Sequence, residues 1–196
     1  MNFKKLIHLN FLFIFITILL TILGISALYS AADGSFQPWA IKHIYRFVFL
    51  FFAMLIISVI KIKYIFKYSY IFFIMCLILL LSVEIVGIFG KGAERWIRIF
   101  GISIQPSEIV KIGIILSLAK YYHNIKFDNI GRLTHLIVPS LLILIPFFLV
   151  VIQPDLGTSL SILLLGIIIM FLSGVKIWKF ILGIIISLIS LPFLWN

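Results

Sequence analysis

Apolar residues fall in long runs broken by short polar stretches, and seven runs stand out: 9–29, 44–60, 68–89, 108–122, 136–152, 156–173 and 180–195. Runs of this kind fit membrane-spanning helices, each needing about 20 residues. Seven spans use roughly 140 positions and leave roughly 56 for the ends and loops. The fourth run is the weakest, because its uninterrupted apolar core is short. The fifth carries Pro139 and Pro146 and predicts a kinked helix, tolerable where neighbouring helices satisfy the freed backbone groups. The first has the look of a secretory signal, but its length and the lack of a clear small-residue cleavage site favour a retained helix. Asp33-Gly34, Gln37-Pro38 and Gln153-Pro154-Asp155 read as turns. The pattern predicts an all-α fold: a polytopic membrane helix bundle of about seven transmembrane helices, forming one membrane domain over 1–196.

Composition sharpens this expectation. Apolar residues make up 64% of the chain and charged residues 11%, and a soluble domain of this size has too much exterior to hide so much apolar surface. A soluble enzyme, a disordered tail and a disulfide scaffold are excluded. One cysteine, Cys76, allows neither an internal disulfide nor a cysteine-rich metal site.

The formal charge of +10 suggests nucleic acid until its distribution is followed. Ten of the sixteen Lys and Arg lie at the amino end, in the 61–67 turn, in the 120–135 loop and at 176–179. The other six, Lys42, Arg46, Lys91, Arg95, Arg98 and Lys111, fall on the opposite side, with five of the six acids. Basic residues in short loops mark the cytoplasmic side. The amino terminus is therefore expected in the cytoplasm, and the charge is a topology signal, with no nucleic acid as partner.

Chemistry concentrates on the expected outer side. Glu84 lies near the outer end of the third run. Glu94, Arg95 and Arg98 lie in the following loop, Glu108 and Lys111 open the fourth run, and Asp155 opens the sixth. Ser107 and Asp155 are expected N-caps. Two helix N-termini and three cations, Arg95, Arg98 and Lys111, on one rim suit a phosphate or pyrophosphate, because exposed N–H groups and the positive dipole end favour anions. A lipid-linked phosphate fits, with its tail between helices. Each residue also has a plainer reading. Arg95 and Arg98 around Trp96 fit an interfacial helix, Glu108 and Lys111 a structural ion pair, Asp155 a cap alone and Glu84 a protonated or paired core residue. Gly157 and Gly166 fit close helix packing. His43, His123 and His135 are scattered and have no metal-ligand spacing. Gln105-Pro106-Ser107-Glu108 and Gln153-Pro154-Asp155-Leu156 echo each other, each opening a helix on the same side.

The segment GKGAERWIRIFGISIQPSEIVK at 90–111 resembles the signature loop of the SEDS family, the shape, elongation, division and sporulation proteins. The pattern G-A-x-R-W-I followed by Q-P-S-E-x-x-K is intact at Gly92, Ala93, Arg95, Trp96, Ile97, Gln105, Pro106, Ser107, Glu108 and Lys111. A second family motif, QPDLGTS, stands at Gln153 to Ser159, with FLSG at Phe171 to Gly174. Within the family, KGAERW and QPDLGTS are nearer the rod-shape branch than the division branch. The resemblance implies a ten-span protein of the bacterial inner membrane that polymerises lipid II, an undecaprenyl-pyrophosphate-linked precursor, beside a class B penicillin-binding protein of the elongation machinery. It implies a cavity lined by substrate-binding Arg95, Gln105, Glu108, Lys111 and Asp155. A divalent cation at the pyrophosphate is compatible with it, and no other cofactor is implied. Lys42 and Arg46 match the family only loosely. The family's proposed catalytic aspartate belongs to a loop between spans seven and eight, beyond Asn196, so no catalytic residue is assigned here. An amino-terminal piece, catalytically incomplete alone, is expected. Three functions compete: a peptidoglycan glycosyltransferase, a flippase or transporter for the lipid-linked precursor, and a non-catalytic scaffold. Charges through the whole membrane depth favour transport; charges confined to the outer rim favour the polymerase.

Overall fold

In a computed structural model, residues 10–86, 88–90, 93–99, 102–183 and 185 are described. Six α-helices carry the fold: α1 (Phe11–Ala31), α2 (Trp39–Val59), α3 (Ile62–Val86), α4 (Pro106–His123), α5 (Thr134–Ile152) and α6 (Leu156–Leu172). A three-stranded antiparallel sheet, β1 (Ile88–Gly90), β2 (Ala93–Ile99) and β3 (Ile102–Ile104), lies between α3 and α4 in the chain. Four helices, α1, α2, α3 and α5, are long and apolar enough to cross a membrane, and α6 is apolar but shorter at 17 residues. Residues 177–183 and 185, at the start of the seventh run, are helical; the rest of that run lies outside the described residues.

The chain divides into two compact units, Met1–Tyr64 and Ile65–Asn196. The first is the α1–α2 hairpin. Asn10 caps α1, its side chain accepting from the Phe13 N–H at 3.2 Å. The turn predicted at Asp33-Gly34 is present, with φ of 51° and 81°. Both values lie in the left-handed region that Gly adopts freely and Asp tolerates. The Tyr29 and Phe36 rings close the hairpin end with centroids 4.7 Å apart. α2 begins at Trp39, earlier than the apolar run, because Lys42 and His43 extend the helix without contributing to hydropathy. Phe13, Leu20, Phe49 and Ile56 stay exposed, as side chains solvated by lipid do.

In the second unit α4 supplies the centre. Val110, Ile114 and Leu118 recur every four residues and are fully buried, with Phe73, Cys76 and Leu80 from α3, Ile143 and Val150 from α5, and Ile162 and Met170 from α6. Small residues let the helices approach, which matters where lipid removes the hydrophobic drive for helices to associate. A Cβ at Gly113 would lie 3.3 Å from the Phe73 Cα, and one at Gly166 would fall on the Ile143 side chain.

Two expectations are corrected. The 93–99 segment is a strand, not an interfacial helix: Trp96, Ile97 and Ile99 favour a pleated surface, and both edges of β2 find partners. Ile88 pairs with Trp96, with a bulge after it, and Ile97 pairs with Ile104. Ser107 is not a cap. Pro106 takes the first helical position, where its missing N–H costs nothing, so Gln105 is the N-cap and Ser107 is buried inside the first turn.

Candidate functional site

The site is built where α4 and α6 begin. Gln105 precedes a proline, which disfavours helical backbone for it, and its φ of −101° and ψ of 108° are extended. This leaves its side chain free to reach sideways, and its Nε2 donates to Asp155 Oδ2 at 3.1 Å. Asp155 is the expected N-cap of α6: its Oδ1 accepts from the Thr158 N–H at 3.2 Å. One carboxylate therefore closes the end of its own helix and receives the side chain that opens the other. Two helix N-termini, 50 residues apart in sequence, meet at a single buried acid, 9% exposed.

Gln153, the C-cap of α5, belongs to the same assembly. Its Nε2 donates to the Leu80 carbonyl of α3 at 3.1 Å, in a buried bond. The sequence showed it in a turn, in the Gln-Pro echo and in the QPDLGTS motif; its acceptor is a backbone atom that no motif could have revealed.

One turn into α4, Lys111 Nζ lies 2.8 Å from Glu108 Oε1. The ion-pair reading is correct as geometry. The pair sits at the surface, with the Lys111 side chain 23% exposed and that of Glu108 56%, so both groups remain open to a ligand. Glu108 in the first turn and Lys120 and His123 in the last also match the helix dipole.

Of the expected site residues, Gln105, Glu108, Lys111 and Asp155 thus gather at the starts of two adjoining helices. Arg95 and Arg98 stand on β2, and Glu84 on the last turn of α3; their side chains, like that of Glu94, lie outside those described, as does residue 91. Among the described residues no group of three or more His, Cys, Asp or Glu converges, so no ligand set for a divalent cation is identified there. His43 and His135 lie on different helices, and the His123 ring packs on Phe66 with centroids 5.0 Å apart. Gly166 serves packing, as its plainer reading held. Chemically, the arrangement offers backbone N–H groups, one solvated cation and a rigidly held carboxylate. That set suits binding of an anion.

Among known proteins, the family model described as cell cycle protein, FTSW_RODA_SPOVE, matches residues 5–195. The chain is 32% identical over 149 residues to the probable peptidoglycan glycosyltransferase FtsW of Buchnera aphidicola subsp. Baizongia pistaciae, covering 76% of this chain and 39% of that protein. It is 36% identical over 121 residues to peptidoglycan glycosyltransferase MrdB of Escherichia coli K12, covering 59% and 30%. The crystal structure of Thermus thermophilus rod shape determining protein RodA superposes with a TM-score of 0.70 at 27% identity, covering 92% of this chain and 57% of that one. A chain from a solved peptidoglycan synthase complex, described for its coordination of polymerization and crosslinking, gives 0.75 at 26%, covering 94% and 53%. The chain thus spans 30–39% of the length of these two curated relatives and a little over half that of the solved chains.

Proposed function

We propose a function from one premise: the chain belongs to the cell cycle protein family of FtsW, RodA and SpoVE. It contributes the lipid-pyrophosphate rim of a peptidoglycan glycosyltransferase, a lipid II polymerase of cell-wall elongation and rod-shape maintenance. It works in the bacterial inner membrane beside a class B penicillin-binding protein, with its amino terminus in the cytoplasm. The observation that carries this reading is the Gln105–Asp155 bond, which joins the N-termini of α4 and α6, with the partly exposed Lys111 one turn into α4. In the reaction, a sugar 4-hydroxyl gives its proton to a general base and attacks the anomeric carbon of a second lipid II, a glycosidic bond forms, and the lipid pyrophosphate leaves with the bonding electron pair. The rim stabilises that developing anion with N–H groups and cations. Arg95 adds a planar donor fork suited to phosphate, and Gln105, Glu108, Lys111 and Asp155 complete the substrate-binding set. A divalent cation accompanying the pyrophosphate would add positive charge at the same rim. No residue here is assigned as the base.

The flippase reading is less well supported. Among the described helices the charges cluster near the ends: Lys42 and Arg46 open α2, Lys63 and Lys67 open α3, and Glu108 and Lys111 open α4. None stands at the midpoint of its helix, where a transport path would need charge.

Two measurements test the proposal. The chain in lipid nanodiscs is expected to bind farnesyl pyrophosphate over farnesol, and Lys111→Ala or Arg95→Ala to weaken that binding about tenfold, as loss of a charge-assisted contact does. Farnesol binding equally well would overturn it. For the orientation, single cysteines replace Ser35 and Lys126 in a Cys76→Ala background. A membrane-impermeant thiol reagent added to intact cells should label position 35 and spare 126; the reverse result would invert the topology.

A further inference from the structure

The Gln105–Asp155 bond has a consequence for what Asp155 does. An ionised carboxylate only accepts hydrogen bonds, so Gln105 must present its amide NH2, and the geometry matches: Nε2 to Oδ2 at 3.1 Å. The other oxygen takes the Thr158 N–H, and the Asp155 carbonyl accepts the Ser159 N–H at 3.0 Å. Both side-chain oxygens thus hold protein groups, one on each helix, and the residue is nearly buried. On the same stretch, Gln153 ties the chain just before α6 to Leu80 of α3. The two Gln-Pro steps therefore do parallel work: each glutamine reaches across from a helix boundary to another element. Lys111, by contrast, is partly exposed and bonds only within its own helix among the described contacts.

We infer that Gln105 and Asp155 are positioning residues, acting on the substrate by holding the first turns of α4 and α6 in one arrangement rather than by touching it. The inference rests on the lipid-pyrophosphate reading and divides its residue set in two: Lys111 contacts the anion, while Gln105 and Asp155 set where the N–H groups point. A negative carboxylate is a poor direct partner for a pyrophosphate, and its burial beside the Gln105 and Thr158 donors turns it toward the protein.

The experiment uses the chain in nanodiscs with farnesyl pyrophosphate as probe, and reads both binding and amide hydrogen exchange. Asp155→Ala should weaken probe binding about tenfold. Asp155→Asn should bind within about threefold of the unsubstituted chain, because Asn remains a good N-cap and Gln105, turned over, can offer its carbonyl to the new amide. Gln105→Ala should raise exchange at the Thr158 amide about tenfold, although the change is on α4 and the amide on α6. The Gln105→Ala/Asp155→Ala pair should bind no more weakly than Asp155→Ala alone, since both remove one shared interaction. If Asp155→Asn loses as much binding as Asp155→Ala, the charge acts directly and the inference falls. If Asp155→Ala does not fold, the comparison of Asp155→Asn with the unsubstituted chain decides: a tenfold loss overturns the inference and a threefold one supports it. If the unsubstituted chain does not bind the probe, the pyrophosphate reading fails, and the exchange result alone decides the tie: unchanged Thr158 exchange in Gln105→Ala refutes it, and faster exchange upholds it.

Discussion

The α1–α2 hairpin and the α3–α6 unit are alike in hydropathy and differ in how far their polar side chains reach. In the hairpin, hydroxyls fold back on their own helices: Thr17 bonds the Phe13 carbonyl, Thr21 that of Thr17, Ser26 that of Leu23 and Ser58 that of Leu55, all at 2.7–2.8 Å. In the second unit Ser69, Ser82, Ser159, Ser161 and Ser173 fold back in the same way, but other polar groups cross between elements. Gln105 reaches Asp155, Gln153 reaches Leu80, and Lys120 reaches the Lys67 carbonyl at 2.7 Å. Lys120 also lies over the Tyr70 ring, 4.7 Å from its centroid, where the ring quadrupole attracts it. A helix solvated by lipid needs only to hide its own polar atoms. A unit that must hold several groups in register needs bonds that would be unsatisfied in any other arrangement. Membrane insertion and site construction are therefore separate demands, met by separate residues.

The largest test of that contrast is steric. A Cβ at Gly166 would fall on the Cγ1, Cδ1 and Cγ2 atoms of Ile143. Gly166→Ala should destabilise the second unit by about 1–3 kcal/mol, the usual cost of overpacking. The double variant with Ile143→Ala, which removes the obstructing atoms, should recover part of that loss. In the hairpin, a Cβ at Gly24 meets only His43 Nε2 at 3.4 Å. Gly24→Ala should be neutral or stabilise by up to about 1 kcal/mol, since Ala is the better helix residue. Thermal unfolding in detergent measures both. Equal losses at the two glycines would erase the distinction between a packed unit and a lipid-facing one.

The same division governs what could be read from the sequence. The helices were legible as apolar runs, because lipid fixes their composition whatever they pack against. Their ends were less so: α2 starts five residues before its run and α3 six before its own, because Lys, Tyr and Trp at a membrane surface are polar in hydropathy yet helical in backbone. Asp155 was read correctly as a cap because capping is local. Ser107 failed because Pro106 beside it claimed the first helical position. β2 was missed although β-branched and aromatic residues between glycines signalled a strand, since the regular spacing of Arg95 and Arg98 invited a helical reading. The Gln105–Asp155 and Gln153–Leu80 bonds span 50 and 73 residues. The echo between the two Gln-Pro segments was visible, but which atoms they bind is decided by tertiary packing alone.

Among the cross-element ties, Gln153 gives the next largest effect. Its amide is a buried donor, and Gln153→Ala should cost about 1–2 kcal/mol. Gln153→Glu should cost more, because an ionised carboxylate has no proton to donate and would face the Leu80 carbonyl with like partial charge. Denaturant or thermal unfolding of the two variants orders them, and a Glu variant as stable as the unsubstituted chain would mean that the bond to α3 contributes nothing. The corresponding polar contact of the hairpin is the exposed Asn10 cap, for which Asn10→Ala should cost no more than about 0.5–1 kcal/mol. A larger loss there than at Gln153 would reverse the contrast.

The smallest stability change is expected at Lys111, and there it is informative. Lys111 pairs with Glu108 three residues earlier on the same helix, and both side chains are partly exposed. Pairs of that spacing stabilise a helix by about 0.2–0.5 kcal/mol, and exposed ion pairs often contribute less. Lys111 also stands near the start of α4, the end where the helix dipole disfavours a cation. Lys111→Gln should therefore shift unfolding by no more than about 0.5 kcal/mol, while farnesyl pyrophosphate binding falls about tenfold. The binding loss should shrink as salt rises, because screening already weakens a solvated contact in the unsubstituted chain. A variant that lost more than about 1.5 kcal/mol of stability and kept its binding would place Lys111 with Gln153 and Lys120, among the groups that hold the unit together, and remove it from those that meet a ligand.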